Sequence, residues 1–131
     1  MNLNLDSGNY VTTGKLSAKT QLKISRKLSP AIPLVDGMLN SENADKDKKL
    51  IALFMLARIP DEDSEAVVDT CLGLVFRRQE SGLAKVQATN GTLMFDDLTL
   101  SDLLEITASV IAENLGDFFR ITLSNLAKAQ G

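Results

Sequence analysis

The sequence predicts an α+β fold, mostly α-helical, with about five helices beside a small antiparallel β-hairpin or three-stranded sheet. Three observations lead there. Apolar residues recur three and four positions apart through most of the chain, which is the period of an amphipathic helix. That period breaks at Thr89-Asn90-Gly91, where Asn-Gly stands between two short runs, a strong hairpin signal. The β-branched stretch Val11-Thr12-Thr13 precedes the first helical pattern and favours an extended segment over 9–13. The length of 131 residues suits a single domain over 1–131. A chain of that size hides roughly two-thirds of its unfolded surface.

The elements follow in order. Gly14 ends the extended piece, and Ser17 is a good N-cap for the helix that follows. On that helix Ala18, Leu22, Ser25 and Leu28 share one side, with Ile24 at the margin, so these are expected to face the core. Lys19, Lys23, Arg26 and Lys27 form a basic stripe opposite. Pro30 and Pro33 stop the helix. Residues 34–46 are polar, contain Gly37, and are expected to form a mobile loop within the one domain.

A second helix is expected from Asp47 to Ile59. Leu50, Ile51, Leu53, Phe54, Met55 and Leu56 make it apolar nearly all round, so it is either a core helix or one that offers an apolar surface to a partner. Pro60 ends it. A third helix, capped by Asp63 or Ser64, carries Val67, Val68, Cys71, Leu72, Leu74, Val75 and Phe76 and closes on Arg77 and Arg78, which suit the negative end of a helix dipole. The hairpin then pairs 83–88 with 92–95. Thr99-Leu100-Ser101-Asp102 reads as a capping box for a fourth helix that Gly116 is placed to stop. A short last helix spans Phe118 to Leu126.

Composition strikes out several chemistries. The chain has no histidine, so it has no Ser-His-Asp triad, Cys-His dyad or histidine-ligated metal. One cysteine makes neither an internal disulfide nor a multi-thiolate zinc site. No cofactor is expected. The N-terminus lacks a basic start followed by an apolar run, and no apolar stretch reaches the roughly 18 residues of a membrane span. A cytoplasmic protein without a membrane partner is therefore expected. The net charge of −3 is unevenly spread: residues 1–35 carry +4, residues 36–70 carry −5, and the rest −2.

Each candidate for chemistry has a plainer reading. Cys71 lies on an apolar face with nothing to activate it, so an inert buried thiol is expected. Asp61-Glu62-Asp63 with Glu65 lacks the spacing and turn glycine of an EF-hand loop, and reads as acids in a first helical turn. Asp96-Asp97 reads as a polar boundary between strand and helix rather than an acid–base pair. Gly14-Lys15 lacks the upstream glycine of a phosphate loop. No catalytic, cofactor or metal residue is assigned.

Two features have binding character. The stripe of Lys19, Lys23, Arg26 and Lys27 is a solvated face, a docking site for an acidic protein, or a nucleic-acid contact. The acidic balance of the chain and the lone nearby aromatic, Tyr10, weigh against nucleic acid. That alternative, a small cytoplasmic adaptor binding nucleic acid through a basic helix face, stays open here. Phe118 and Phe119, with Leu123 in the same segment, are core by default, and anchor a partner if exposed.

Several segments together resemble the tail assembly chaperones of tailed bacteriophages and prophages. They are Thr13-Gly14-Lys15-Leu16-Ser17-Ala18-Lys19-Thr20-Gln21-Leu22 running into Arg26-Lys27-Leu28-Ser29-Pro30, then Leu93-Met94-Phe95-Asp96-Asp97-Leu98, and after a helix Glu113-Asn114-Leu115-Gly116-Asp117-Phe118-Phe119. Residues 36–63 carry no part of the likeness. The resemblance implies a non-enzymatic morphogenesis factor that binds the tape-measure protein and helps recruit tail-tube subunits. Some such families also make a longer, frameshifted form; with no obvious extra domain, this sequence would correspond to the short one. Its surfaces would be the basic stripe and the aromatic segment Phe118, Phe119 and Leu123, used in a helix-in-groove mode. The sequence does not specify oligomeric state, and a homo-oligomer is compatible with it.

Overall fold

One long helix organises the chain. A computed structural model describes the backbone of residues 1–34 and 44–130, with side chains over 1–34 and 48–118. The elements are β1 (Asn2–Asn4), β2 (Tyr10–Thr13), α1 (Ala18–Leu28), a 3₁₀ turn (Ser29–Ala31), α2 (Ala44–Ala57), α3 (Asp61–Leu72), β3 (Val75–Gln79), β4 (Gly82–Lys85) and α4 (Leu100–Gln130). The strands form one antiparallel sheet in the order β1-β2-β3-β4. The α+β class holds. Among the described residues there are four helices rather than about five, and the sheet has four strands rather than two or three.

The missing fifth helix has a local cause. Gly116 does not stop α4, which runs through it to Gln130. Gly116 is buried, and packing offsets the roughly 1 kcal/mol that a mid-helix glycine costs relative to alanine. The start of α4 follows the expected capping box. The Thr99 N–H donates to Asp102 Oδ2 at 3.2 Å, and the Asp102 N–H donates to Thr99 Oγ1 at 3.1 Å. Ser7 Oγ adds a third link to Asp102 Oδ2 at 2.9 Å, so this buried carboxylate ties the β1–β2 loop to the helix start.

The sheet differs more. Arg77 and Arg78 lie in β3, not at the end of a helix. The helix stops at Leu72, where the Gly73 N–H closes on the Asp69 carbonyl, and the β-branched Val75 starts a strand beside β2. The principal hairpin is β3–β4, with Gly82 at φ +123° in a conformation that other residues rarely adopt. The expected Asn90-Gly91 turn is also present. It is smaller, closed by a bridge between Gln87 and Leu93 and by the Ala88 N–H donating to the Thr92 carbonyl at 2.8 Å. Residues 9–13 supply β2, whose second neighbour is the unforeseen β1.

Helix boundaries shift for similar reasons. Ser17 caps α1 as expected, accepting from the Thr20 N–H at 3.2 Å. α3 begins directly after Pro60, with Asp61, Glu62 and Asp63 all in its first turn, rather than at Asp63 or Ser64. Proline tolerates a helix start because it has no N–H to leave unpaired. α2 runs from Ala44 to Ala57, earlier at both ends than expected. Of the loop expected over 34–46, residues 44–46 belong to α2, and residues 35–43 lie outside the described residues.

The core lies between the sheet and the helices. Val11 and Val75 cover it from the sheet, Ile24 and Leu28 from α1, Ala52 and Met55 from α2, and Val67 and Cys71 from α3. All converge on Ile106, Val110, Ile111 and Leu115 of α4.

At one edge of this core, Glu105 of α4 faces Asp6, whose carboxylate pairs with Lys49. Burial and then the neighbouring Asp6 charge push the Glu105 carboxyl above its ordinary range, and its Oε2 has no hydrogen-bond partner among the described residues. A carboxyl whose pKa rises on folding costs stability only where it is ionised. Glu105→Gln is therefore expected to raise the thermal midpoint at neutral pH, and the gain is expected to fade as pH falls through the carboxylate range and both states become protonated. Equal midpoints at neutral pH would refute the assignment. Asp102→Ala is expected to lower the unfolding free energy by about 1–2 kcal/mol, read from urea titration, because the cap is lost and Ser7 Oγ loses its acceptor.

Candidate protein-binding groove

The residues on either side of Leu16 set where α1 sits. The Leu16 N–H donates to Asn114 Oδ1 of α4 at 2.9 Å, and the Leu16 carbonyl accepts from Gln21 Nε2 at 3.0 Å. Asn114 Nδ2 in turn donates to the Val110 carbonyl at 2.8 Å, which fixes the amide's orientation. The two peptide groups on either side of Leu16 are thus held, one by α4 and one by α1, which ties the start of α1 to α4 at Asn114.

That placement leaves an apolar groove of about 230 Å³ between the helices, lined by Ala18, Gln21, Leu22, Ser25, Leu115 and Phe118. Leu22 is 61% exposed and Phe118 57%. The expected inner face of α1 is therefore corrected. Ile24 and Leu28 are the buried pair, while Ala18 and Leu22 are exposed and Ser25 is half-buried. Two apolar stripes run along the helix, and the one with the β-branched residue faces inward. The signal was present in the sequence: Leu28 lies four residues after Ile24, while Ala18, Leu22 and Ser25 repeat at four and three.

The basic residues border this groove unequally. Lys19, Lys23 and Arg26 are exposed, and Lys27 is half-buried. Lys27 Nζ pairs with Asp63 Oδ1 of α3 at 2.9 Å, and Lys23, Arg26, Lys27 and Asp63 line one shallow cavity of about 350 Å³. So Lys27 is spent largely within the fold, while the other three present positive charge to solvent. Phe118 joins the groove as a lining residue. The side chains of Phe119 and Leu123 lie outside the described residues, although the α4 backbone continues through both.

The remaining candidates for chemistry have structural roles. Burial pushes the Cys71 thiol up to about 12, so it is protonated and unreactive at neutral pH. Asp97 accepts both guanidinium nitrogens of Arg77, at 2.6 and 2.8 Å, and that cation holds its carboxyl below the usual range. The same guanidinium lies 4.6 Å from the centre of the Phe95 ring, so Phe95 and Asp97 clamp the 93–98 segment onto β3. Among the described residues, no group of acids or cysteines is placed to hold a metal ion, and no helix is long and apolar enough to cross a membrane.

The groove and the basic residues beside it are the candidate site on this small α+β scaffold. The sequence model of the family described as "Phage tail assembly chaperone protein, TAC" matches residues 7–127, and the chain belongs to that family. Membership implies partners among phage tail proteins. No curated protein and no solved structure gives a match.

The segments that carry the earlier resemblance thereby acquire physical roles. Asn114 anchors α1, and Leu115 and Phe118 line the groove. Asn114→Leu is expected to lower the unfolding free energy by about 1–3 kcal/mol, because the Leu16 N–H loses its acceptor. Cys71 is expected to resist alkylation at pH values near neutrality in the folded chain and to react fully once the chain is denatured; rapid labelling of folded protein would contradict its burial.

Proposed function

We propose that this chain is a non-enzymatic morphogenesis factor, a single domain over 1–131, that binds the tape-measure protein in the host cytoplasm and helps recruit tail-tube subunits around it. The observation that carries this reading is the α1–α4 groove, which combines exposed Leu22 and Phe118 with Lys19, Lys23 and Arg26 at its border. A long helical partner exposes apolar stripes until tube subunits cover it. A groove of this kind shields such a stripe by taking one helix of it, while the cations select stripes with acidic flanks. Lys27, Phe119 and Leu123 are proposed as further partner contacts on the sequence pattern alone.

The test is co-expression with the tape-measure and tube proteins of the same gene cluster. Capture of the tape-measure protein is expected, with affinity about tenfold or more weaker for Leu22→Glu and for the pair Lys19→Glu and Lys23→Glu. Co-purification of neither protein, or capture that both variants leave unchanged, would overturn the assignment.

A further inference from the structure

The sheet has two sides, and the core lies on one of them. Side chains alternate along a strand, so directly opposed residues of neighbouring strands share a side. Val11, Thr13 and Val75 point inward and are buried. The outer side carries Thr12 opposite Phe76 and Phe76 opposite Lys85. The next row holds Tyr10 on β2, with Arg78 opposite Leu83 on β3 and β4. In a helical reading of residues 75–76, Phe76 has no relation to Tyr10, which stands as a lone aromatic. The pairing of β2 with β3 sets the two rings at diagonal positions on one face, where side chains sit roughly 7–8 Å apart.

The face has a definite chemistry. Both rings are half-buried, while Arg78 and Lys85 are exposed and Leu83 is 60% exposed. The Arg78 guanidinium lies 5.5 Å from the centre of the Tyr10 ring, so a cation accompanies the aromatic surface. The edge strand β1 adds only the neutral Asn2 and Asn4 to this side. Acids stand at its two ends: Glu80 in the β3–β4 turn, and Asp69 in a cavity of about 450 Å³ that Lys85 also lines. Between them the face carries cations and no acid. Salt screens charge beyond roughly 10 Å at 0.1 M, so the sign at the face outweighs the chain's overall acidity. Rings next to cations suit a ligand that alternates planar groups with anions, and unpaired bases on a phosphate backbone are such a ligand. An acidic peptide would engage the cations and leave the rings without planar partners.

We propose that the outer face of the sheet binds single-stranded nucleic acid, with bases stacked on Tyr10 and Phe76 and phosphates paired with Arg78 and Lys85. This site shares no residue with the lining of the α1–α4 groove and does not depend on what that groove takes.

The chain has one tyrosine and no tryptophan, so its intrinsic fluorescence reports on this face alone. Oligouridylate and oligothymidylate of about ten nucleotides are the probes. Tyrosine emission, corrected for absorbance by the oligonucleotide, is expected to be quenched on titration. Binding of either probe supports the proposal and shows which sugar the face accepts. Between about 50 and 200 mM salt, log K is expected to fall against log salt with a slope of about −1.4, the value for two phosphate contacts on a single strand. Phe76→Leu keeps an apolar side chain but removes the ring, and is expected to weaken binding about fivefold or more. Tyr10→Leu, followed by anisotropy of a labelled oligonucleotide, is expected to do the same, whereas Tyr10→Phe retains binding. Arg78→Glu with Lys85→Glu is expected to abolish it. Far-UV circular dichroism checks that each variant folds. No binding at low salt overturns the proposal. So does equal quenching by duplex DNA or by polyglutamate, which would mean a merely cationic surface. Binding that survives Phe76→Leu and Tyr10→Leu but is lost with Lys19→Glu and Lys23→Glu would place the contact on α1 and overturn it too. Those two α1 changes are expected to leave oligonucleotide binding intact while weakening capture of the tape-measure protein, so the two readings fail separately.

Discussion

The burial of α4 between Asp102 and Leu115 is the constraint from which the rest of the structure follows. Ile106, Val110, Ile111 and Leu115 are lost to solvent almost entirely, and each such side chain contributes about 1.5–3 kcal/mol relative to exposure. α2 and α3 pack along this segment, and the sheet and α1 close the remaining sides. Burial alone is non-directional and would let the N-terminal part of the chain slide. Two polar contacts fix its register. Ser7 bonds to Asp102 near one end of the buried segment, and the Leu16 N–H bonds to Asn114 near the other. At the rise of an α-helix those anchor points are roughly 18 Å apart. Between them run the end of the β1–β2 loop, β2 and the approach to α1.

The same arrangement converts an uneven linear charge into two faces. The basic first quarter becomes the exposed side of α1, and the acids that follow Pro60 become the first turns of α3. Where the two helices approach, Lys27 and Asp63 neutralise each other. Away from that seam each sign stands beside exposed apolar side chains, Leu22 on one face and Leu53 on the other. In general, apolar area supplies attraction without selectivity, and flanking charge discriminates between partners.

Features governed by short-range chemistry were legible in the sequence. Ser17 and the Thr99–Asp102 box act as caps because a side-chain oxygen must meet an N–H two or three residues away, which any reader of the sequence can check. The Asn90-Gly91 turn was legible for the same reason. What the sequence left open depends on distant partners. Val75 and Phe76 continue a helical apolar pattern as well as they begin a strand, and only the neighbouring β2 decides between them. Gly116 reads as a helix stop until its burial is known. α1 has two apolar stripes, and which one faces inward is decided by α4. The candidate site was accordingly half visible: Lys19, Lys23, Arg26 and Phe118 were identified, whereas Leu22 and Ala18 were assigned to the core.

The link between Leu16 and Asn114 joins residues 98 positions apart. It has a consequence for the order in which the molecule is made. Closing so long a loop is entropically costly and slow compared with forming local helices. A ribosome emitting the chain from its N-terminus releases α1 long before α4 exists to receive it. Until then Ile24 and Leu28 have no core, and the basic helix is an open amphipathic segment rather than one wall of a groove. The groove is thus a property of the finished chain alone, and a nascent copy cannot compete with completed ones for whatever the groove binds.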